Sequence, residues 1–134
     1  MSKSYFEDYK YGIAEEEKIR TLLINHFNED IIKTKERYCK YDYICLASNN
    51  KFELKSRRNN KNHYPTTIIP VDKVITNDNL YFIFNFIDKC CYIKYNEDQF
   101  KQFNKRIIKT NRWDKNDKPN VHYEIPVDLL VDIN

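Results

Sequence analysis

At 134 residues the chain has the length of one domain, and 41% hydrophobic with 15% aromatic residues is enough for a core, which excludes a disordered chain. Its single glycine excludes a glycine-rich phosphate loop, and no apolar run approaches the roughly 20 residues of a membrane span. The net charge of +3 is mild but unevenly placed.

Residues 51–63 hold Lys51, Lys55, Arg57, Arg58, Lys61 and His63 against the single acid Glu53; residues 101–118 are again mostly basic, and Glu124, Asp128 and Asp132 make the tail acidic. Clustered cations suit a polyanion, although a solvated face explains most individual runs. The N-terminus lacks the apolar stretch of a signal peptide, so an intracellular protein is expected. Cys39, Cys45, Cys90 and Cys91 have no C-x-x-C spacing, and His26, His63 and His122 are scattered. That argues against a zinc site or a disulfide framework and for buried thiols at Cys45 and at one of Cys90 and Cys91.

In chain order, residues 12–28 are predicted as a helix, with Ile19, Leu23 and Phe27 on one stripe. Glu15, Glu16 and Glu17 then fall in its first turns, where the helix dipole favours carboxylates. Glu16 also shares the apolar stripe, where a carboxylate needs a partner. Residues 31–38 read as a strand or a strand plus turn. Residues 41–48 and 52–57 read as a hairpin around a two-residue turn at Asn49 and Asn50. Residues 58–65 form a polar loop, and 66–75 a short strand broken at Pro70 with a helical turn after it. A second hairpin spans 80–86 and 90–95. Phe100, Phe103 and Ile107 suggest a helix over 97–109. A polar loop over 111–120 holds Trp113, which can anchor the loop or stack on a base; 121–125 is a last strand and 126–133 a short closing helix with Pro126 in its first turn.

The segment that carries chemistry is the first hairpin. Side chains alternate along a strand, so Glu53 and Lys55 share one face while Phe52 and Leu54 face a core. Asp42 lies near the start of the partner strand. Carboxylates are the hard oxygen ligands that Mg²⁺ requires, and a lysine beside them can orient water or neutralise phosphoryl charge. An acid-x-Lys triplet is common in a chain that is 32% charged, and an exposed Glu53–Lys55 ion pair is the plain alternative. Asp8-Tyr-Lys10 and Glu16-Glu-Lys18 are also such triplets, but neither lies in an alternating strand segment.

A helix carrying Glu16, a strand carrying Asp42 and a strand with Glu53-Leu54-Lys55 together resemble the PD-(D/E)XK nuclease superfamily over residues 12–74, about half the chain. Gly12 followed four residues later by Glu16 is similar to the first helix of archaeal-type Holliday-junction resolvases; Tyr41 stands where the motif has its proline. Glu53-Leu-Lys-Ser-Arg57, Tyr64-Pro-Thr-Thr and Lys73 also look like small nucleases of large DNA viruses and phages.

The resemblance implies a restriction-endonuclease-like α/β fold: an α-β-β-β-α-β core with a mixed central sheet, plus an extra C-terminal hairpin and helices. It implies an endonuclease that hydrolyses DNA phosphodiester bonds with Mg²⁺ or Mn²⁺ and no small-molecule cofactor, on branched or structured DNA. Asp42, Glu53, the Leu54 carbonyl and Glu16 would serve the metal, and Lys55 the attacking water. Arg57, Arg58, Lys61 and Lys73 would contact DNA phosphates. A homodimer is expected for cutting two strands, in the cytoplasm or a host nucleus. The alternative is a nucleic-acid-binding or assembly subunit that keeps the fold without cleaving.

Overall fold

The structure, a computed structural model, describes residues 3–34, 41–75, 79–108 and 120–133, with side chains of the first helix from Lys10 onward. Helix α1 (Lys3–Phe27) is followed by β1 (Ile32–Lys33), β2 (Tyr43–Cys45), β3 (Asn50–Ser56), β4 (Thr66–Pro70), β5 (Leu80–Asn85) and β6 (Cys90–Lys94). A short helix α2 (Glu97–Phe100), then β7 (Lys105–Ile108), β8 (Asn120–Pro126) and β9 (Val131–Asp132) complete the order. One sheet has the order β1-β2-β3-β5-β6-β9, and a second the order β4-β8-β7. Only β3 and β5 pair in parallel among the described strands; the large sheet is therefore mixed and the fold is α/β.

Three layers result. Ile19 and Leu23 of α1 pack on Tyr43, Cys45, Phe52, Ile83 and Cys90 of the large sheet. On its other face, Phe82, Phe84, Cys91 and Ile93 meet Ile69, Tyr123 and Ile125 of the small sheet, with Phe100 beside them. Both faces of β6 are covered, so Cys90 and Cys91 are both buried, where one thiol was expected. Cys45 is buried as expected, and Cys39 lies outside the described residues.

The chain departs from the sequence expectation at several places. Helix α1 begins at Lys3, nine residues before the predicted start, so Gly12 is interior and no acid stands in the first turn. The dipole explanation of Glu15, Glu16 and Glu17 therefore falls; Glu17 pairs instead with Arg20 at 2.9 Å. The first hairpin turn is residues 46–49 rather than Asn49 and Asn50. Cys45 pairs with Asn50, and Asn49 closes the turn at φ 63° with its N–H on the Cys45 carbonyl. Asn50 is a strand residue held by Glu29. Strand β1 is confined to two residues; 35–40 lie outside the described residues.

The expected helix over 97–109 stops at Phe100. The three-residue spacing of Phe100 and Phe103 is met by one turn that packs the half-buried Phe103 ring against the buried Phe100 at 4.9 Å. Ile107 is 62% exposed on β7, which the helical stripe had placed inside. The closing helix over 126–133 is one 3-10 turn, Val127–Leu129, followed by β9 against β6. The break at Pro70 with a turn after it, the second hairpin and the strand over 121–125 are all present. Trp113 lies outside the described residues.

The crossover from β3 to β5 runs through β4 and two 3-10 turns and contains no α-helix among the described residues, where the implied core has one. No described helix is long and apolar enough to cross a membrane.

Gly12 offers a direct check of the longer helix. A Cβ there would meet nothing within 4 Å. Gly12→Ala should therefore stabilise the protein by about 1 kcal/mol through helix propensity, read as a raised midpoint in denaturant. An unchanged or lowered midpoint would place Gly12 outside a helix interior.

Candidate active site

The site is built where β2 begins beside β3. Asp42 donates its N–H to the Phe52 carbonyl (2.9 Å) and accepts the Leu54 N–H on Oδ2 (2.7 Å). Its own carbonyl accepts from the Thr34 N–H at 2.9 Å and from the Thr34 hydroxyl. Asp42 is thus pinned from both sides, which fixes its carboxylate at the sheet end. The N–H and C=O of one strand residue face the same edge. Lys51 gives its N–H to Asn79, just before β5, and Arg57 gives its N–H to Asn85 at the end of β5, whereas Phe52 and Leu54 face the β2 edge. The Leu54 carbonyl is accordingly turned to the edge where Asp42 sits.

Phe52 and Leu54 face the α1 side, as the alternation predicts. Glu53 and Lys55 share the other face, but that face is covered too. Glu53 is only 5% exposed and lies between layers. Its Oε1 stands 3.4 Å from Lys55 Nζ and 3.6 Å from Lys73 Nζ. Burial, then the charge of Asp42, push its carboxyl above the usual carboxylate range, while Lys73 and Lys55 pull it back. The simple exposed ion pair is thereby excluded: this is a buried acid with two lysines and a second acid around it. Lys73 reaches it from the 3-10 turn after β4, because the chain bends at Pro70.

Glu16 sits on α1 above the same corner. Tyr43 donates its hydroxyl to the Glu16 carbonyl at 2.8 Å, seating the helix on β2. The Glu16 carboxylate is ion-paired with Lys33 of β1. Glu16 and Asp42 both line a cavity of about 770 Å³ between α1 and the sheet. Glu53, Lys55 and Lys73 are not among the residues that line it. Among the described residues no three His, Cys, Asp or Glu side chains come together as a metal-holding group.

The basic residues divide. Arg57 is committed to structure: its guanidinium donates to the Thr67 hydroxyl and the Ile68 carbonyl and lies 5.7 Å from the centre of the Phe84 ring. Lys61 is bound to Asp132 of β9 at 2.7 Å. Arg58 is exposed and lines the cavity. Sequence reasoning missed Lys33, whose role follows from its pairing opposite Tyr43, and Tyr43 itself, which read as ordinary core. The alternation in β1 is too short to have signalled either.

Compared with known proteins, the chain matches no protein-family model and no curated protein sequence.

Glu53 sets a pH dependence. Its carboxyl is raised above 4.5 in the fold, so below that value it is protonated in both states and costs nothing. As pH rises through the folded value, the unfolded chain has already released the proton and stability falls. Glu53→Gln removes this loss. The melting temperature of the variant minus that of the wild type should grow between pH 4.5 and neutrality; a flat or shrinking difference would contradict the burial.

Proposed function

We propose that the chain is a divalent-metal-dependent endonuclease of the PD-(D/E)XK type, acting on DNA phosphodiester bonds. One observation carries the reading: Glu53, buried beside Asp42, has Lys55 and Lys73 within 3.4 and 3.6 Å. A buried carboxylate that feels the charge of a second, half-buried one is relieved by a bound cation, and their oxygens are the donor type that Mg²⁺ and Mn²⁺ take. The donor set therefore fits such an ion. Asp42, Glu53 and the Leu54 carbonyl would hold it, with Glu16 serving through water from the cavity side. When bound, the ion supplies Lewis-acid activation of water and of the scissile phosphate.

The remaining roles belong to the chain. Lys55 orients the attacking water and donates to the phosphoryl oxygens as charge builds on them. Lys73 keeps Glu53 ionised by its positive charge. Arg58 contacts a neighbouring phosphate, which gives affinity without reading sequence. Arg57 holds β3 to β4 and so positions Glu53 and Lys55. The DNA partner, the homodimer and the intracellular location remain part of this proposal. The second reading, a binding subunit without cleavage, is favoured by the existing pairing of Glu53 and Glu16 with lysines, since paired acids can be purely structural.

Labelled duplex, single-stranded and four-way-junction DNA, incubated with Mg²⁺, with Mn²⁺ and with EDTA, separates the two readings. Cleavage that EDTA stops supports the nuclease; binding without cleavage under every condition supports the subunit. Asp42→Asn and Glu53→Gln should each abolish cleavage and leave DNA binding in place. Lys55→Ala should lower the rate by about 10²–10³ with little change in affinity. Arg58→Ala should weaken binding and reduce its salt slope by about one unit, whereas Arg57→Ala should show itself chiefly as lost stability. Glu16→Gln should impair cleavage and Glu17→Gln should not. Full activity of Asp42→Asn would remove the site.

A further inference from the structure

The cavity that Glu16 and Asp42 line has a composition that the proposed chemistry does not use. Its floor is apolar, made by Ile19, Leu22, Tyr43, Leu54 and Phe86. One wall is α1, from which Tyr11 stands 68% exposed; the other is the β5–β6 turn, from which Ile87 stands 70% exposed. A flat ring and a branched aliphatic chain thus border the mouth without being needed for the core. Exposed cations accompany them: Lys18 on α1, Arg58 after β3, and Lys89 beside Ile87, 3.9 Å from Asp132. Acid is concentrated at Glu16 and Asp42, with Glu15 and Asp88 also lining the cavity. Lys33 answers Glu16, and Asp88 accepts the Lys61 N–H.

A ligand matching this lining has phosphates for Arg58, Lys18 and Lys89 and apolar planar faces for Tyr11 and Ile87. Duplex DNA presents phosphates but keeps its base faces stacked inside. A single strand presents both, and base–aromatic stacking is the usual way proteins hold it. An aliphatic side chain at the mouth also suits an unstacked base, as inserted apolar wedges do in bent duplexes. The size agrees: about 770 Å³ lies in the range of pockets that enclose ligand-sized groups, roughly 300–1,000 Å³.

We infer that this cavity is a binding site for single-stranded DNA, with Tyr11 and Ile87 bracketing an unpaired base and Arg58, Lys18 and Lys89 holding the flanking phosphates. It deepens the proposed function by naming the substrate class, and so rests on the reading of this corner as a DNA site; it does not require that cleavage occur. Substrates with an unpaired arm or flap would then be the ones whose scissile phosphate reaches Asp42.

The test is equilibrium binding in EDTA, so that cleavage cannot enter. The probes are a labelled single strand of about ten nucleotides, at the middle of the site sizes seen for single-strand binders, the same strand with abasic sugars, and its duplex. The wild type should bind the single strand more tightly than the duplex or the abasic strand. Tyr11→Ala and Ile87→Ala should each weaken the single strand by about tenfold, as lost stacking does, and leave the other two unchanged. Arg58→Ala should weaken all three. Leu46→Ala, an exposed apolar residue on the β2–β3 turn and off the cavity, should match the wild type. Equal binding of duplex and single strand, or an unaffected Tyr11→Ala, overturns the inference. Absence of cleavage in the assay with metals overturns the nuclease reading and leaves this one standing.

Discussion

A carboxylate buried between two layers of sheet must find compensating charge, and the surroundings of Glu53 are arranged by that need. Lys55 comes from two residues along the same strand, and Lys73 arrives from the turn after β4. That second lysine can reach only because the crossover runs through the small sheet and bends at Pro70. Asp42 works against the arrangement: it adds negative charge next to Glu53. Removing either acid alone would leave its partners unmet, the Leu54 N–H at Asp42 and the two lysines at Glu53. Keeping both beside each other is the kind of local expense that binding sites carry.

The basic residues show the opposite division. Arg57 and Lys61 look from sequence like part of one phosphate-contacting run, yet each is spent on holding elements together. Arg57 ties β3 to β4, and Lys61 ties the loop before β4 to β9. What remains for a polyanion on the cavity side is the set of exposed cations at its rim, Arg58 among them. A run of like charges in sequence therefore overstates the field available to a ligand, because folding neutralises part of it.

Much of the central hairpin was legible in advance. Alternation placed Phe52 and Leu54 on one face and Glu53 and Lys55 on the other, and the second hairpin and the break at Pro70 followed from their turn residues. Three things were not legible. The depth of Glu53 depends on the small sheet, which pairs Thr66 with Pro126 across much of the chain, and no local pattern announces that. The helix after Glu97 failed because Phe100 and Phe103 satisfy a three-residue spacing with a single turn. The start of α1 failed because Gly12 was read as a boundary, although a long helix tolerates one interior glycine at about 1 kcal/mol. Lys33 belonged to the same class as the small sheet: its partner Glu16 is near only after β1 has paired with β2.

The neighbouring thiols of β6 carry a further consequence. Cys90 points into the layer under α1 and Cys91 into the layer between the sheets. Burial pushes the first up to about 11 and the second up to about 12, so neither supplies much thiolate near neutrality. An alkylating reagent reaches them only when their layer opens. Adjacent in sequence, they report on different layers, so the ratio of their labelling rates gives the difference between the free energies at which helix and second sheet come away. One strand thereby carries two native gauges of whether the layers unfold as one unit or in turn.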